Sequence, residues 1–360
     1  MKVLVVGDWL ADIYEEAFYK GFKACGCDVH KFSWIQYFKY YQYPSRFDVE
    51  PNKLKSLYYR LQNRFTFGPI LKRINDDLID NVRENEYEMI FIYRGTHIYP
   101  KTLSKLKSSG CKVFGYNNDD PFSALYPRYF WRHFRNGIKE YDYIFSYREK
   151  NILDYKNIGF ESSSILRSYY LNEKNFHIHH NVIKAKNIND VIFIGHFEND
   201  GRDEILLHLF ENGVKLKLYG TDWEQSLFFN ELVAFNGEIK PVYEDYNEVL
   251  NGAKVALVFL SKKNNDTYTR RCFEIPVTKT AMVSEYTDDL AGMFEENKEI
   301  IFFKEKEDCL DKVNSLISNP EQLKLISDQA YARLVRDGHE VSDRVKEILT
   351  VYSNELVDCS

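Results

Sequence analysis

Polar side chains able to do chemistry cluster directly after short apolar runs of this sequence. Asp8 follows the run at 3–6, in VVGDWLAD, with Asp12 four residues on. A carboxylate there can accept a hydrogen bond or a proton from a hydroxyl-bearing substrate; its plainer alternative is to cap the first helix. A single glycine, no GxGxxG and two acids argue against a pyrophosphate at this point. Asn117-Asn118-Asp119-Asp120-Pro121 follows the run at 113–116 and forms a rigid polar turn. Asp119 and Asp120, with Asn118, are candidates to hold substrate hydroxyls or shape an acceptor pocket, against an ordinary Asx turn. Arg94-Gly95-Thr96-His97 follows the run at 89–93, so Arg94 or His97 could face the same edge. No third ligand is spaced to make a metal site with the aspartate pair.

The second half carries the cationic candidates. Gly195-His196-Phe197, then Gly201-Arg202, lie between a strand and its helix. Glycine permits close backbone approach, and a helix start with Arg202 offers positive potential to a phosphate. His196 could add a donor. Further on, Arg270 and Arg271 open a helix, where dipole and guanidinium would add on a diphosphate. Glu274, one turn later, can accept from a ribose diol, or can be an ion-pair partner of the two arginines. There is no GxSxG elbow, catalytic-cysteine signature or P-loop. HIHH at 177–180 reads as a solvated segment, because no acidic or cysteine partner is placed beside it.

These residues need scaffolds to position them. The chain has 360 residues, room for about two domains. It is 44% hydrophobic and 28% charged with 17 Gly and 9 Pro, which excludes collagenous and disordered classes. Forty-eight basic residues against 54 acidic give a net charge of -6, so no global grip on nucleic acid is expected. Cysteines 25, 27, 111, 272, 309 and 359 lack paired zinc spacing and read as reduced thiols. The start, MKVLVVGDW, is too short in its apolar run for a signal peptide, and no run of about 18 apolar residues occurs. A cytoplasmic protein without an integral membrane segment is the expectation, with room left for a peripheral membrane contact.

Short strands at 3–6, 29–32, 89–93, 113–116, 143–146 and 164–166 alternate with helical periodicity at 14–24, 71–84, 101–108 and 128–139. The pattern restarts with strands at 191–195, 215–219, 254–259, 281–284 and 299–302. Helices are read at 203–211, 246–251 and 271–277, and then at 306–317, 320–337 and 341–356. Buried strands alternating with helices predict α/β architecture: two Rossmann-like doubly wound domains in tandem. The expected division is 1–171, a linker at 172–189, 190–340, and a last helix at 341–360 returning to the first domain. Residues 34–68 are crowded with Tyr and Phe and read as an aromatic insertion, or as a stacking platform for a flat ligand. In such sheets ligands sit at the carboxyl ends of the strands.

Taken together, FIGHFENDGRDEILLHL, VKLKLYGTDW, YEDYNEVLNGAKVALVF, RRCFEIPVTKTAMVSEYTDDLAGMF and ISDQAYARLVRDGHEVSDRVKEIL resemble the CgeB-like group of GT-B glycosyltransferases. YNNDDPF and YDYIFSY resemble that group's D-D-P segment and adjacent strand. The resemblance implies an N-terminal acceptor domain and a C-terminal domain for a nucleotide-diphosphate sugar. It places Arg271 on phosphate and Glu274 on ribose, with His196 and Arg202 near the cations that retaining relatives use on the diphosphate. Asp266 stands where those relatives carry a Glu, and Asp8-Trp9 replaces their usual glycine pair. Both departures leave inverting and retaining courses open. An inverting enzyme would draw its base from Asp8, Asp12, Asp119 or Asp120; a retaining one would rely on the loop around Asp266.

The expected activity is metal-independent and cofactor-free sugar transfer to a carbohydrate or glycolipid acceptor, in bacterial polysaccharide or surface-glycan synthesis. Donor-binding residues are Gly195, His196, Arg202, Arg270, Arg271 and Glu274. Acceptor-binding residues are Asp12, Arg94, His97 and Asn118, and catalytic candidates are Asp8, Asp119, Asp120 and Asp266. A nonenzymatic nucleotide-sugar sensor is the alternative, with a nucleotide-sugar epimerase behind it.

Overall fold

The structure, a computed structural model, describes residues 1–41, 50 and 52–357. The chain forms two compact units, Met1–Arg167 with Val341–Ser360, and Ser168–Glu340.

In the first unit, β1 (Lys2–Gly7), β2 (Asp28–Ser33), β3 (Met89–Tyr93), β4 (Lys112–Asn117), β5 (Tyr143–Ser146) and β6 (Ser163–Ile165) form a parallel sheet ordered β2-β1-β3-β4-β5-β6. The helices are α1 (Glu15–Ala24), α2 (Lys53–Phe65), α3 (Pro69–Asn85), α4 (Pro100–Lys107), α5 (Arg132–Gly137) and α6 (Glu149–Asn157). β1 and β3 are apolar and buried on both faces. Phe18 and Phe22 of α1 pack on Phe91 from one side, while Leu71, Ile74 and Leu78 of α3 belong to the core that holds Leu4, Val6 and Ile90. Parallel strands covered in this way read as continuous hydrophobic runs, which is why the sequence pattern locates them.

The second unit has β7 (Asn189–Ile194), β8 (Leu216–Tyr219), β9 (Ala253–Val258), β10 (Ala281–Glu285) and β11 (Ile301–Phe303), all parallel, in the order β11-β10-β9-β7-β8. Its helices are α7 (Arg202–Glu211), α8 (Phe229–Asn236), α9 (Tyr246–Asn251), α10 (Arg271–Val277), α11 (Asp288–Met293), α12 (Lys306–Ile317) and α13 (Pro320–Arg336). The last helix, α14 (Val341–Val357), packs on α1 of the first unit. Val345 lies so close to Gly21 that a Cβ there would be 2.8 Å from its methyl, and Tyr352 meets Phe114 edge-on.

Four helices, α2, α6, α8 and α11, lie where the sequence reading placed no element. α2 falls inside the aromatic stretch 34–68, where Tyr and Phe blur the helical period. Within that stretch Trp34, Ile35 and Phe38 are buried in the first unit's core, and Trp34 stacks on His97. Trp34 is thereby occupied as core rather than as a ligand platform; positions 42–49 and 51 lie outside the described residues.

The stretch 172–189, read as a linker, is tied into the second unit. The backbone N–H groups of Phe176, Ile178 and Lys184 donate to Asn247, Asn251 and Glu248 of α9 at 3.1, 2.6 and 2.6 Å. Polar side chains of α9 replace the apolar periodicity that would have signalled order.

Each sheet reverses its winding once, between β1 and β3 in the first unit and between β7 and β9 in the second. Crevices at such switch points, at the carboxyl ends of the strands, are where this architecture binds ligands.

Candidate functional site

At the second unit's switch point the loops after β7 and β9 are stitched together. Arg271 Nε donates to the Ile194 carbonyl at 3.2 Å, and Ser261 Oγ donates to Glu198 at 2.9 Å. Gly220, at φ +150°, lies against the Gly195 carbonyl; a Cβ there would fall 1.8 Å from that oxygen, so the close approach of the β7 and β8 loops requires glycine.

Glu274 is the centre of this crevice. Its Oε1 accepts from Arg270 Nε at 2.6 Å, and its Oε2 accepts from Arg271 Nη1 at 2.7 Å and from the Tyr246 hydroxyl at 2.6 Å. Burial by itself raises a carboxyl pKa, but Arg270, Arg271 and the Tyr246 hydrogen bond outweigh it and hold Glu274 at about 2. The two guanidiniums also lie over rings, Arg270 over Tyr169 and Arg271 over Tyr246, each at 4.9 Å. Arg271 is the one that reaches solvent, 31% exposed against 12% for Arg270.

Arg202 is buried and serves its own loop. Nε and Nη2 form a bidentate pair with Asp200 at 2.8 and 2.6 Å, and Nη1 donates to the His196 carbonyl at 2.9 Å. The start of α7 is likewise matched by acids of its own, Asp200 and Asp203. His196 is exposed and pairs with Glu198 at 2.9 Å. Burial raises the Glu198 pKa, yet the His196 hydrogen bond, Arg202 and Ser261 bring it below the ordinary value. Three guanidiniums (Arg202, Arg270, Arg271) therefore stand with three carboxylates (Glu198, Asp200, Glu274). The expectation of surplus positive potential at the helix starts is corrected by this balance: Arg202 fixes the loop, and Arg271 is the guanidinium offered outward. Asp266 is half-buried on the β9 loop, its N–H donating to the Ser261 carbonyl at 2.9 Å.

At the first unit's switch point Trp9 and Arg94 both hold left-handed backbone, at φ 61° and 66°, directly beyond β1 and β3. Strained non-glycine residues of this kind gather at functional sites. Arg94 binds Asp119 Oδ2 at 3.0 Å and Asn118 Oδ1 at 3.2 Å, and lies 5.4 Å over the Tyr14 ring. Three of the sequence-derived candidates are thus brought into one cluster. Asp12 lines a separate small cavity of about 240 Å³ with Trp9, Glu16, Lys31 and Ser33.

Asp8 neighbours a group that sequence reasoning missed. Glu15, the first residue of α1, is buried against Gly7, where any Cβ would collide with its carboxyl, and its Oε1 accepts the Asp8 N–H at 2.9 Å. Glu15 Oε2 is buried with no hydrogen-bond partner among the described residues. Burial, then repulsion from Asp8, pushes its pKa to about 8, with Arg94 only partly opposing them. The available signal was one of two adjacent acids, Glu15 and Glu16, in a first helical turn, which is too common to single out.

Two expected acceptor-side residues are turned inward. His97 is buried between Trp34 and Phe38, with Nδ1 on Thr96 at 2.9 Å and Nε2 on Asn63 at 2.8 Å, and burial lowers its pKa to about 3. It is a neutral core histidine, correcting its assignment to an acceptor. Asp120 is fully buried and ties the turn to α6 by accepting from Phe122 N–H (2.8 Å) and Asn151 (2.7 Å), with Lys150 at 3.1 Å. It is an Asx-type anchor rather than a group facing substrate. Elsewhere, His177 Nδ1 meets the Thr278 carbonyl at 3.0 Å, and no three His, Cys, Asp or Glu side chains converge as metal ligands among the described residues.

Residues 202–350 match the family model described as glycosyl transferase-like. No curated protein matches the chain. Among solved structures, a sucrose-phosphate synthase from Thermosynechococcus elongatus superposes with a TM-score of 0.71 at 10% identity, covering 100% of both chains. A glycosyltransferase from Rickettsia africae gives 0.68 at 11%, over 99% of this chain and 98% of its own. Anabaena HepE, solved in complex with UDP-glucose, gives 0.67 at 10%, over 98% and 100%. The fold is GT-B. None of the helices among the described residues is long and apolar enough to cross a membrane.

Proposed function

We propose that the chain is a glycosyltransferase of the CgeB-like kind. In this reading the second unit holds a nucleotide-diphosphate sugar and the first unit a hydroxyl acceptor, in bacterial polysaccharide or surface-glycan synthesis. The observation that carries it is Glu274, a buried carboxylate kept ionised at the switch point beside two guanidiniums. Its Oε1 accepts one hydrogen bond from the protein, which leaves lone-pair capacity for a ribose hydroxyl. Arg271 is placed to meet the diphosphate whose negative charge grows as the sugar departs, so the reading requires no metal. His196 and the Gly195 backbone would line the same crevice, with Arg202 holding their loop. The domain-level likeness to a UDP-glucose complex is consistent with a nucleotide-sugar donor, and the 202–350 match with transfer as the reaction class.

On the acceptor side, Asp8 is favoured as the base if the course is inverting. Asp119 is committed to Arg94 and Asp120 to α6, whereas Asp8 sits on the strained turn beyond β1. Asp12 and its cavity, with Arg94 and Asn118, supply groups for acceptor hydroxyls. Thermal-shift titration with UDP, GDP, ADP and their sugar conjugates tests the donor assignment, with Arg271→Ala as the control. Stabilisation by one nucleotide that Arg271→Ala abolishes is expected. A shift left intact by that substitution would move the site elsewhere. Binding with no turnover over a broad acceptor panel would favour a sensor, and nucleotide release without any acceptor an epimerase.

A further inference from the structure

α2 turns an apolar stripe outward. Its apolar residues Leu54, Leu57, Tyr58 and Leu61 recur at helical spacing and are 81, 53, 50 and 44% exposed. Its inward side mixes amides with two rings, Tyr59 at the first unit's core and Phe65 against Tyr129. Gln62 is buried and accepts the Ile70 N–H at 2.9 Å, and Asn63 meets His97 at 2.8 Å. A helix folded for water turns its apolar stripe to the core; this one is anchored by amides and two rings and displays its leucines. A contiguous apolar stripe held outward marks a contact surface.

The charge on α2 itself is of one sign. α2 carries Lys53, Lys55, Arg60 and Arg64, and no acid occurs from 52 to 75, in a chain whose net charge is -6. A second acid-free stretch, 121–139, adds Arg128, Arg132 and Arg135. It abuts the end of α2: Tyr129 packs on Phe65 at 4.8 Å, and Arg132 donates to the Thr66 carbonyl at 2.9 Å. Phe67, exposed and packed on Phe65, extends the apolar surface beyond the end of α2.

We infer that this face of α2 docks on an anionic lipid bilayer, lying in the interface with its leucines among the acyl chains and its cations at the headgroups. The pairing of an apolar stripe with uniformly positive flanks fits an apolar layer under a negative surface. A second copy meeting this face with its own α2 would present the same positive charge and repel it. The inference is independent of the glycosyltransferase reading, because it uses none of the switch-point residues.

Flotation of the full chain with vesicles of 30% phosphatidylglycerol in phosphatidylcholine, against phosphatidylcholine alone, tests it without any donor. Binding to the anionic vesicles that weakens in 0.5 M salt is expected, with little on the neutral ones. Leu57→Ser with Leu61→Ser should weaken binding roughly tenfold or more. Each of Lys53→Gln, Lys55→Gln and Arg60→Gln should cost about fivefold. All these positions are exposed, so thermal unfolding should be unchanged. Absence of binding to anionic vesicles, or equal binding by the parent and the double serine variant, would overturn the inference. So would a dimer in sedimentation that the same double variant dissociates, since the face would then bind a second copy.

Discussion

The two switch points share a strand order and each buries a glutamate, yet they treat it in opposite ways. Glu274 touches two guanidiniums and a tyrosine hydroxyl and titrates at about 2. Glu15 meets a backbone N–H and the charge of Asp8, while Arg94 is turned to Asp119 and Asn118, and it titrates at about 8. Burial is common to both; the cations within reach decide the protonation state. The second unit thus offers a permanent anion beside cations, as the proposed donor grip requires. The first offers a carboxyl that carries a proton at neutral pH, next to the proposed base.

The largest expected effect tests the first half of that contrast. Glu274→Ala leaves Arg270 and Arg271 without their shared partner, and urea unfolding should show a loss of about 3–5 kcal/mol. A variant as stable as the parent would remove Glu274 from the centre of the crevice. The second test concerns Glu15. Its folded pKa lies above the unfolded value of 4.5, so the stability it contributes is complete below about pH 4.5 and is lost as pH rises to about 8. Unfolding free energies between pH 5 and 9 should therefore fall in the parent by on the order of a few kcal/mol from this group. Glu15→Gln should flatten that slope, whereas a slope that persists would mean Glu15 is ionised in the fold.

A smaller effect separates grip from scaffold. Arg271→Ala removes a charged donor and should weaken nucleotide-sugar binding roughly 10- to 100-fold by calorimetry. The smallest separates neighbours in one turn. Asp120→Asn should cost about 1 kcal/mol of stability through its lost ties to α6. Asp119→Asn, paired with Arg94 nearer the surface, should cost under about 1 kcal/mol. Equal stability losses would contradict the different placements of the two aspartates.

Most strands were legible because a covered parallel strand is a bare apolar run, as at Met89–Tyr93, where reading and structure coincide. Helices with a clean stripe, such as Lys306–Ile317, were equally readable. α2 was not, because the Tyr and Phe that crowd the stretch around it blur its helical period. Among site residues, spacing was enough to group Arg270, Arg271 and Glu274, since i,i+3 and i,i+4 neighbours on a helix must meet. It could not orient His97: a residue four positions past a strand can turn to either side, and here Trp34 from a distant loop takes it into the core.

By itself, then, the sequence determined the alternation of strand and helix, the tandem α/β sheets and the arginine–glutamate cluster, because each depends on neighbours along the chain. Tertiary structure alone decided that Tyr246 joins Glu274, that Arg202 is consumed by Asp200, and that Glu15 is buried beneath Asp8 over Gly7. Protonation and exposure depend on desolvation and on charges brought in from remote segments, and neither is encoded in local spacing.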